Sequence, residues 1–191
     1  MPDKHVLSVL VENQPGVLAR IAGMFAARGF NIDSLVVGRT EDDALSRMII
    51  VTRGDESTME QIRKQLGKIV TIVKVRNLSE TECVERDLLL VRIHCPPEKR
   101  GELRQISEIF RGSIVDVGPR SVTIQLTGPE EKIESFVALC RPYGIIELSR
   151  TGVIAAPRAV SLASSARPKA EKPRIAPSSK AAEKAAALPP S

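Results

Sequence analysis

Two tandem α+β sandwiches, each a ferredoxin-like βαββαβ unit, are what the periodicities of this 191-residue chain predict. Three observations lead there. The same order of strand and helix patterns runs twice along the chain. Each run sets two amphipathic helical stripes against four strand patterns, which suits helices layered on one face of an antiparallel sheet. Beyond Pro157 large apolar residues almost vanish, so the folded part is expected to end there.

In the first unit, His5-Val6-Leu7-Ser8-Val9-Leu10-Val11 is a β-branched apolar run that reads as a buried strand over 5–12. Leu18, Ile21, Ala22 and Phe25 recur at helical spacing and predict a helix over 16–28, with Pro15 suited to its first turn. Gly29 stands where a helix-ending glycine is expected. Strands are expected over 31–39 and 45–52. Ser57-Thr58-Met59-Glu60 fits a capping box for a helix over 57–67, whose stripe is Met59, Ile62 and Leu66. A strand over 70–78 closes the unit.

The second unit repeats the series as strand 86–94, helix 98–110, strands 113–117 and 121–127, helix 129–142 and strand 145–151. Val122, Ile124 and Leu126 alternate with polar residues, as in a strand with one wet face. Gly118-Pro119-Arg120 reads as a hairpin connection. Pro129 suits the first turn of the last helix, whose stripe is Ile133, Phe136, Val137 and Cys140. The domains expected are thus 4–79 and 84–156, followed by an Ala/Pro/Lys-rich tail over 157–191 that cannot bury enough apolar surface to order itself.

Charge is unevenly spread. Seven basic and two acidic residues lie in 158–191, which leaves 21 of each sign in 1–157. The net charge of +5 therefore belongs to the tail and says little about the folded body. Cys83, Cys95 and Cys140 form no C-x-x-C pair, and His5 and His94 do not complete a zinc set, so reduced thiols in a cytoplasmic protein are expected. Neither a signal-peptide apolar region nor a membrane-length apolar run occurs.

Catalytic constellations are missing as well. The histidines have no Ser/Asp or Cys/Asn arrangement around them, and the acidic clusters Glu41-Asp42-Asp43 and Glu130-Glu131 fall in a hairpin turn and a first helical turn. RNA binding through the sheet needs aromatic residues on central strands. The chain has one Tyr, four Phe and no Trp, and helix faces account for Phe25, Phe110 and Phe136. Neither an enzyme nor a nucleic-acid reader is expected.

The segment Glu12-Asn13-Gln14-Pro15-Gly16-Val17-Leu18, between the first strand and first helix, is the strongest functional signal. Free N–H groups at a helix start, beside a residue without a Cβ, suit a carboxylate. No phosphate-loop lysine or further glycine accompanies them, so a small anionic or zwitterionic ligand fits better than a nucleotide. Each residue also has a plainer use. Asn13 suits a helix cap, Gly16 suits tight packing, and Asn31 suits the turn after Gly29.

The order from Leu7 to Leu18, continuing through Ala19-Arg20-Ile21-Ala22-Gly23-Met24-Phe25 and Arg28-Gly29-Phe30-Asn31-Ile32-Asp33-Ser34-Leu35, resembles an ACT domain, an amino-acid-sensing module. With Leu45-Ser46-Arg47-Met48 and Glu108-Ile109-Phe110-Arg111-Gly112, residues 4–156 are similar to the small regulatory subunits of acetolactate synthase (acetohydroxyacid synthase). The resemblance implies a non-catalytic subunit that activates a large catalytic subunit and confers feedback inhibition by valine or other branched-chain amino acids. The cofactors, thiamine diphosphate, Mg2+ and FAD, would lie in that large subunit and none in this chain. It further implies a homodimer through the ACT domains with effectors at their interface. The loop from Asn13 through Gly16 and Val17 to Leu18 would hold the effector carboxylate through backbone N–H groups, Asn31 of the partner subunit would meet its amino and carboxylate ends, and Ile32 and Val17 would help wall its aliphatic side chain. Gln61, on the polar face of the second helix, is a candidate contact with the large subunit. A free-standing ACT-type sensor serving a different enzyme or a transcriptional partner is the alternative reading.

Overall fold

A computed structural model describes residues 3–159. Its first unit contains β1 (Asp3–Glu12), α1 (Val17–Ala26), β2 (Ser34–Arg39), β3 (Leu45–Gly54), α2 (Glu56–Leu66) and β4 (Ile72–Asn77). The sheet order is β2-β3-β1-β4, with neighbours antiparallel. Alternation along β1 sends Leu7, Val9 and Val11 toward the helices, where they meet Ile21, Phe25, Ile62 and Leu66 in one core. Each of these side chains is 1 % exposed or less. Truncating such a side chain to alanine costs about 2–5 kcal/mol.

The second unit repeats the architecture with β5 (Cys83–His94), α3 (Arg100–Ile109), β6 (Ser113–Val117), β7 (Ser121–Gly128), α4 (Glu130–Cys140) and β8 (Ile145–Arg150). Its sheet order is β6-β7-β5-β8. Leu89, Val91, Ile93, Val122, Ile124 and Leu126 pack against Leu103, Ile133, Phe136 and Cys140. Phe110 stacks edge-on against Phe136, with centroids 5.3 Å apart. The expected pair of tandem ferredoxin-like sandwiches is therefore present.

Several element boundaries differ from expectation. The cap of α2 is Asp55, which accepts a hydrogen bond from the Thr58 N–H at 2.8 Å; Ser57 instead lies inside the helix and bonds to the Asp55 carboxylate. Both residue types cap well, and Asp55 comes first at the end of β3. Gly16 precedes α1 at φ +84°, so the helix begins one residue late. Pro129 occupies the cap position of α4 in extended conformation. The helix expected from residue 98 starts as a 3-10 turn, Pro97–Lys99. Gly29, at φ +69°, does end the first helix, and the Phe30 N–H reaches back to the Phe25 carbonyl.

A ninth strand, β9 (Ile154–Pro157), pairs with Cys83–Arg86, so β5 starts three residues before the strand expected from residue 86. From Leu89↔Arg150 to Arg86↔Ile154 the register advances three residues on β5 and four on its partner. β9 thus continues β8 past a one-residue bulge, where Gly152 takes φ +84°. Pro157 closes this strand and belongs to the ordered body, while the disorder expected of the tail falls on residues 160–191, outside the described residues.

The two units touch. Val6, Ile49 and Val51, on the helix-free face of the first sheet, form a third buried cluster with Leu78 and Val153, flanked by Cys83 and Ala155. Lys4 reaches across to Glu130 at 2.5 Å and Glu85 at 3.6 Å. Beside this junction lies a cavity of about 310 Å³. The charges on its wall satisfy one another as Lys4–Glu130, Arg53–Asp33 and Arg150–Asp87. No described helix is long and apolar enough to cross a membrane.

Candidate effector site

The loop between β1 and α1 is pinned to the β2–β3 hairpin. The Asn13 N–H donates to the Ala44 carbonyl at 2.7 Å, and Asn13 Nδ2 donates to the Asp43 carbonyl at 3.0 Å. Asn13 is therefore a brace for the loop, and it does not cap α1. Gly16 stands directly before the helix in the left-handed region, where a residue with a Cβ is strained. A Cβ added there would meet nothing within 4 Å, so the glycine answers to backbone conformation and leaves open space at the helix start. Among the described residues, the N–H groups of Gly16, Leu18 and Ala19 make no hydrogen bond, and the first turn holds no acidic residue. The positive end of the helix dipole is thus uncompensated beside three free donors.

Val17 is only 5 % exposed and belongs to the core, whereas Leu18 is 44 % exposed beside the loop. Of the two, only Leu18 presents apolar surface beside the loop. Ile32 is half-buried against the same core. Asn31 is exposed, and its Nδ2 donates to Asp33 Oδ1 at 2.6 Å while its carbonyl accepts from Thr52 Oγ1 at 2.6 Å. Gln61 lies exposed on α2.

Within one chain these residues do not converge. Gly16 precedes α1 and Asn31 follows it, so the ten residues of the helix separate them. At about 1.5 Å per residue that is roughly 15 Å, longer than a single amino acid. The Gly16 loop sits at the hairpin end of the sheet, where Asn13 meets Ala44. The Asn31 turn sits at the opposite end, where the Asp33 N–H meets the Val51 carbonyl. A single small ligand can meet both only when two chains pair.

The second unit lacks this equipment. In the place of the Gly16 loop stands Cys95-Pro96-Pro97, and the two prolines have no N–H to offer. The Cys95 N–H is already given to the Arg120 carbonyl, and Arg100 binds the carbonyls of Gly118 and Pro119 at 2.9 and 3.0 Å.

Nor do the two buried thiols resemble nucleophiles. Burial pushes Cys140 up to about 11, and burial likewise raises Cys95, against the opposing pull of Arg100. Among the described residues no group of three or more His, Cys, Asp or Glu could hold a metal ion.

Residues 7–74 match the family model described as the AHAS small subunit-like ACT domain, and residues 86–159 match that of the small subunit of acetolactate synthase. A probable acetolactate synthase small subunit from Archaeoglobus fulgidus is 55 % identical over 152 residues, 80 % of this chain and 95 % of that one. The chain belongs to the acetolactate synthase small-subunit family. The acetolactate synthase small subunit of Haemophilus influenzae, another member, is 46 % identical over 156 residues, 81 % of this chain and 96 % of its own. The crystal structure of the Thermotoga maritima small subunit superposes with a TM-score of 0.76 at 42 % identity, covering 82 % of this chain and 98 % of that one.

Sequence reasoning missed three residues that shape the site region. Asp33 and Arg53 pair at 2.8 Å behind Asn31, and Gly152 presses on the start of β2. Only the β2–β3 pairing brings the first two together, and periodicity carries no sign of it.

Proposed function

We propose that this chain is the regulatory subunit of acetolactate synthase, which activates a thiamine-diphosphate-dependent large catalytic subunit and confers feedback inhibition by valine or another branched-chain amino acid. The single observation that carries the effector site is the split of the candidate residues between the two ends of α1. A zwitterion with a branched tail needs oriented donors, an acceptor and a small apolar wall. The Gly16 loop of one chain offers donors and Leu18, and Asn31 and Ile32 of a second chain offer the rest.

The edge strand β2 supports such pairing. Val37 on β2 and Leu18 on α1 are each 44 % exposed, giving apolar surface next to unpaired backbone. Control is then linkage: the effector favours the arrangement of the complex for which it has the higher affinity, and the large subunit responds to that arrangement. In this reading thiamine diphosphate, Mg2+ and FAD reside in the large subunit, and exposed Gln61 on α2 is a contact toward it. The setting is the cytoplasm.

The test mixes the full chain with the acetolactate synthase large subunit of the same organism and measures acetolactate formation with and without valine. Stimulation by the chain, reversed by valine, is expected. Gly16→Asp should keep stimulation and lose the valine response, because it places a negative charge where a carboxylate belongs. Failure of the chain to stimulate or co-purify with the large subunit would favour the free-standing sensor.

A further inference from the structure

We infer that Asp33 is a positioning residue of the effector site, an inference that rests on the reading just given. Asp33 is held at three points. Its N–H donates to the Val51 carbonyl at 2.8 Å, its Oδ2 accepts from Arg53 Nε at 2.8 Å, and its Oδ1 accepts from Asn31 Nδ2 at 2.6 Å. The Asn31 carbonyl is tied to the same strand through Thr52, which is fully buried. Residues 31–33 are therefore clamped to β3, and the clamp fixes the side-chain amide as well as the backbone.

The chemistry of the clamp decides which way that amide points. A carboxylate accepts and does not donate, so the nitrogen of Asn31 must be the atom turned to Asp33. The amide oxygen, Oδ1, is then left over, and among the described residues it accepts no hydrogen bond. A free, oriented acceptor suits the ammonium group of an amino acid. The carboxylate goes to the free N–H groups at the other chain's Gly16. Asp33 thereby sets the polarity of the site, with ammonium at Asn31 and carboxylate at Gly16. It also explains why the site would take an α-amino acid in preference to the 2-oxo acid of the same carbon skeleton, which lacks the ammonium group.

Isothermal calorimetry with valine, leucine and isoleucine on the full chain tests this. Asp33→Ala is expected to weaken binding of the preferred amino acid by about tenfold or more, the scale of one hydrogen bond to a charged group. Asp33→Asn keeps an acceptor for Asn31 while giving up the charge that pairs with Arg53, and it should stay within about twofold of the unaltered chain. The melting temperatures of both variants should match the unaltered chain. Unchanged affinity in Asp33→Ala overturns the inference. So does an Asp33→Asn loss as large as that of alanine, since the ion pair with Arg53 would then be what matters. If the unaltered chain binds none of the three amino acids, the effector reading itself falls and takes this inference with it. Binding that survives in Asp33→Ala but vanishes in Gly16→Asp leaves the effector reading standing and removes only the role of Asp33.

Discussion

Gly152 and Ser34 meet at the junction of the two units so closely that a Cβ built on Gly152 would come within 2.1 Å of the Ser34 hydroxyl oxygen. That oxygen is buried and has no hydrogen-bond partner. The bulge between β8 and β9 thus presses bare backbone onto the start of β2, one residue beyond Asp33. Gly152→Ala should destabilise the chain by about 2–4 kcal/mol, combining the positive-φ cost with overpacking. Adding Ser34→Ala should recover the overpacking share and leave about 1 kcal/mol. Urea unfolding of the two single variants and the double variant measures this. Simple additivity would show that the two residues do not press on each other.

The proposed division of the effector site between two chains makes a complementation experiment possible. Gly16→Asp and Asn31→Ala should each abolish or weaken valine binding alone. In a mixed dimer one site collects both changes and the other collects neither. Co-refolding equal amounts should restore valine binding to about a quarter of all sites, the share expected for random pairing of two-fold dimers. Calorimetry of the mixture reads this directly. No recovery would place Gly16 and Asn31 in the same chain's site or in none.

The cap of α2 gives a pH signature. Hydrogen bonds from Thr58 and Ser57 hold the Asp55 carboxyl below the usual carboxylate range. A depressed carboxylate stabilises the fold above its unfolded value and loses that contribution as pH falls through its folded value. Asp55→Ala should lower the urea midpoint at neutral pH, as loss of a helix cap does. The difference from the unaltered chain should shrink as the solution is acidified below the ordinary aspartate range. Urea midpoints at neutral pH and near pH 3 would show it; a gap that persists in acid would rule out the charged cap.

Cys140 gives the opposite signature. Its thiol is pushed up to about 11 by burial, so the neutral form is favoured in the folded state. Its contribution to stability is complete below the unfolded value and is lost as pH rises toward 11. In the native protein a thiol reagent at mildly alkaline pH should modify the half-buried Cys83 first and leave the buried Cys95 and Cys140 untouched until unfolding. Mass spectrometry of the labelled chain reads the order of modification, and early labelling at Cys140 would overturn this prediction.

What the sequence made legible follows from the range of the forces involved. Both cores were readable because Ile21, Phe25, Ile133 and Phe136 recur at helical spacing and the strands alternate, and burial acts on each stripe in the same way. The loop at Gly16 was readable because glycine and proline punctuate the chain locally. Asp55 was missed because Ser57 and Glu60 carry an equally good capping pattern two residues later. β9 was missed because Ile154-Ala155-Ala156-Pro157 has little strand character of its own and forms by pairing with Cys83–Arg86. The Asp33–Arg53 pair and the seat of Gly152 on Ser34 depend on contacts between distant segments, which no window along the chain can contain.

The prolines at Pro96 and Pro97 have a consequence for counting. The fold is present twice, but the second copy has proline rings without N–H groups where the first has its loop, with Arg100 bound to the neighbouring Gly118 and Pro119 carbonyls. A saturation titration should therefore level off at no more than one effector molecule per chain. On the proposed reading the duplicate holds no effector, and its surface is free to specialise for something else.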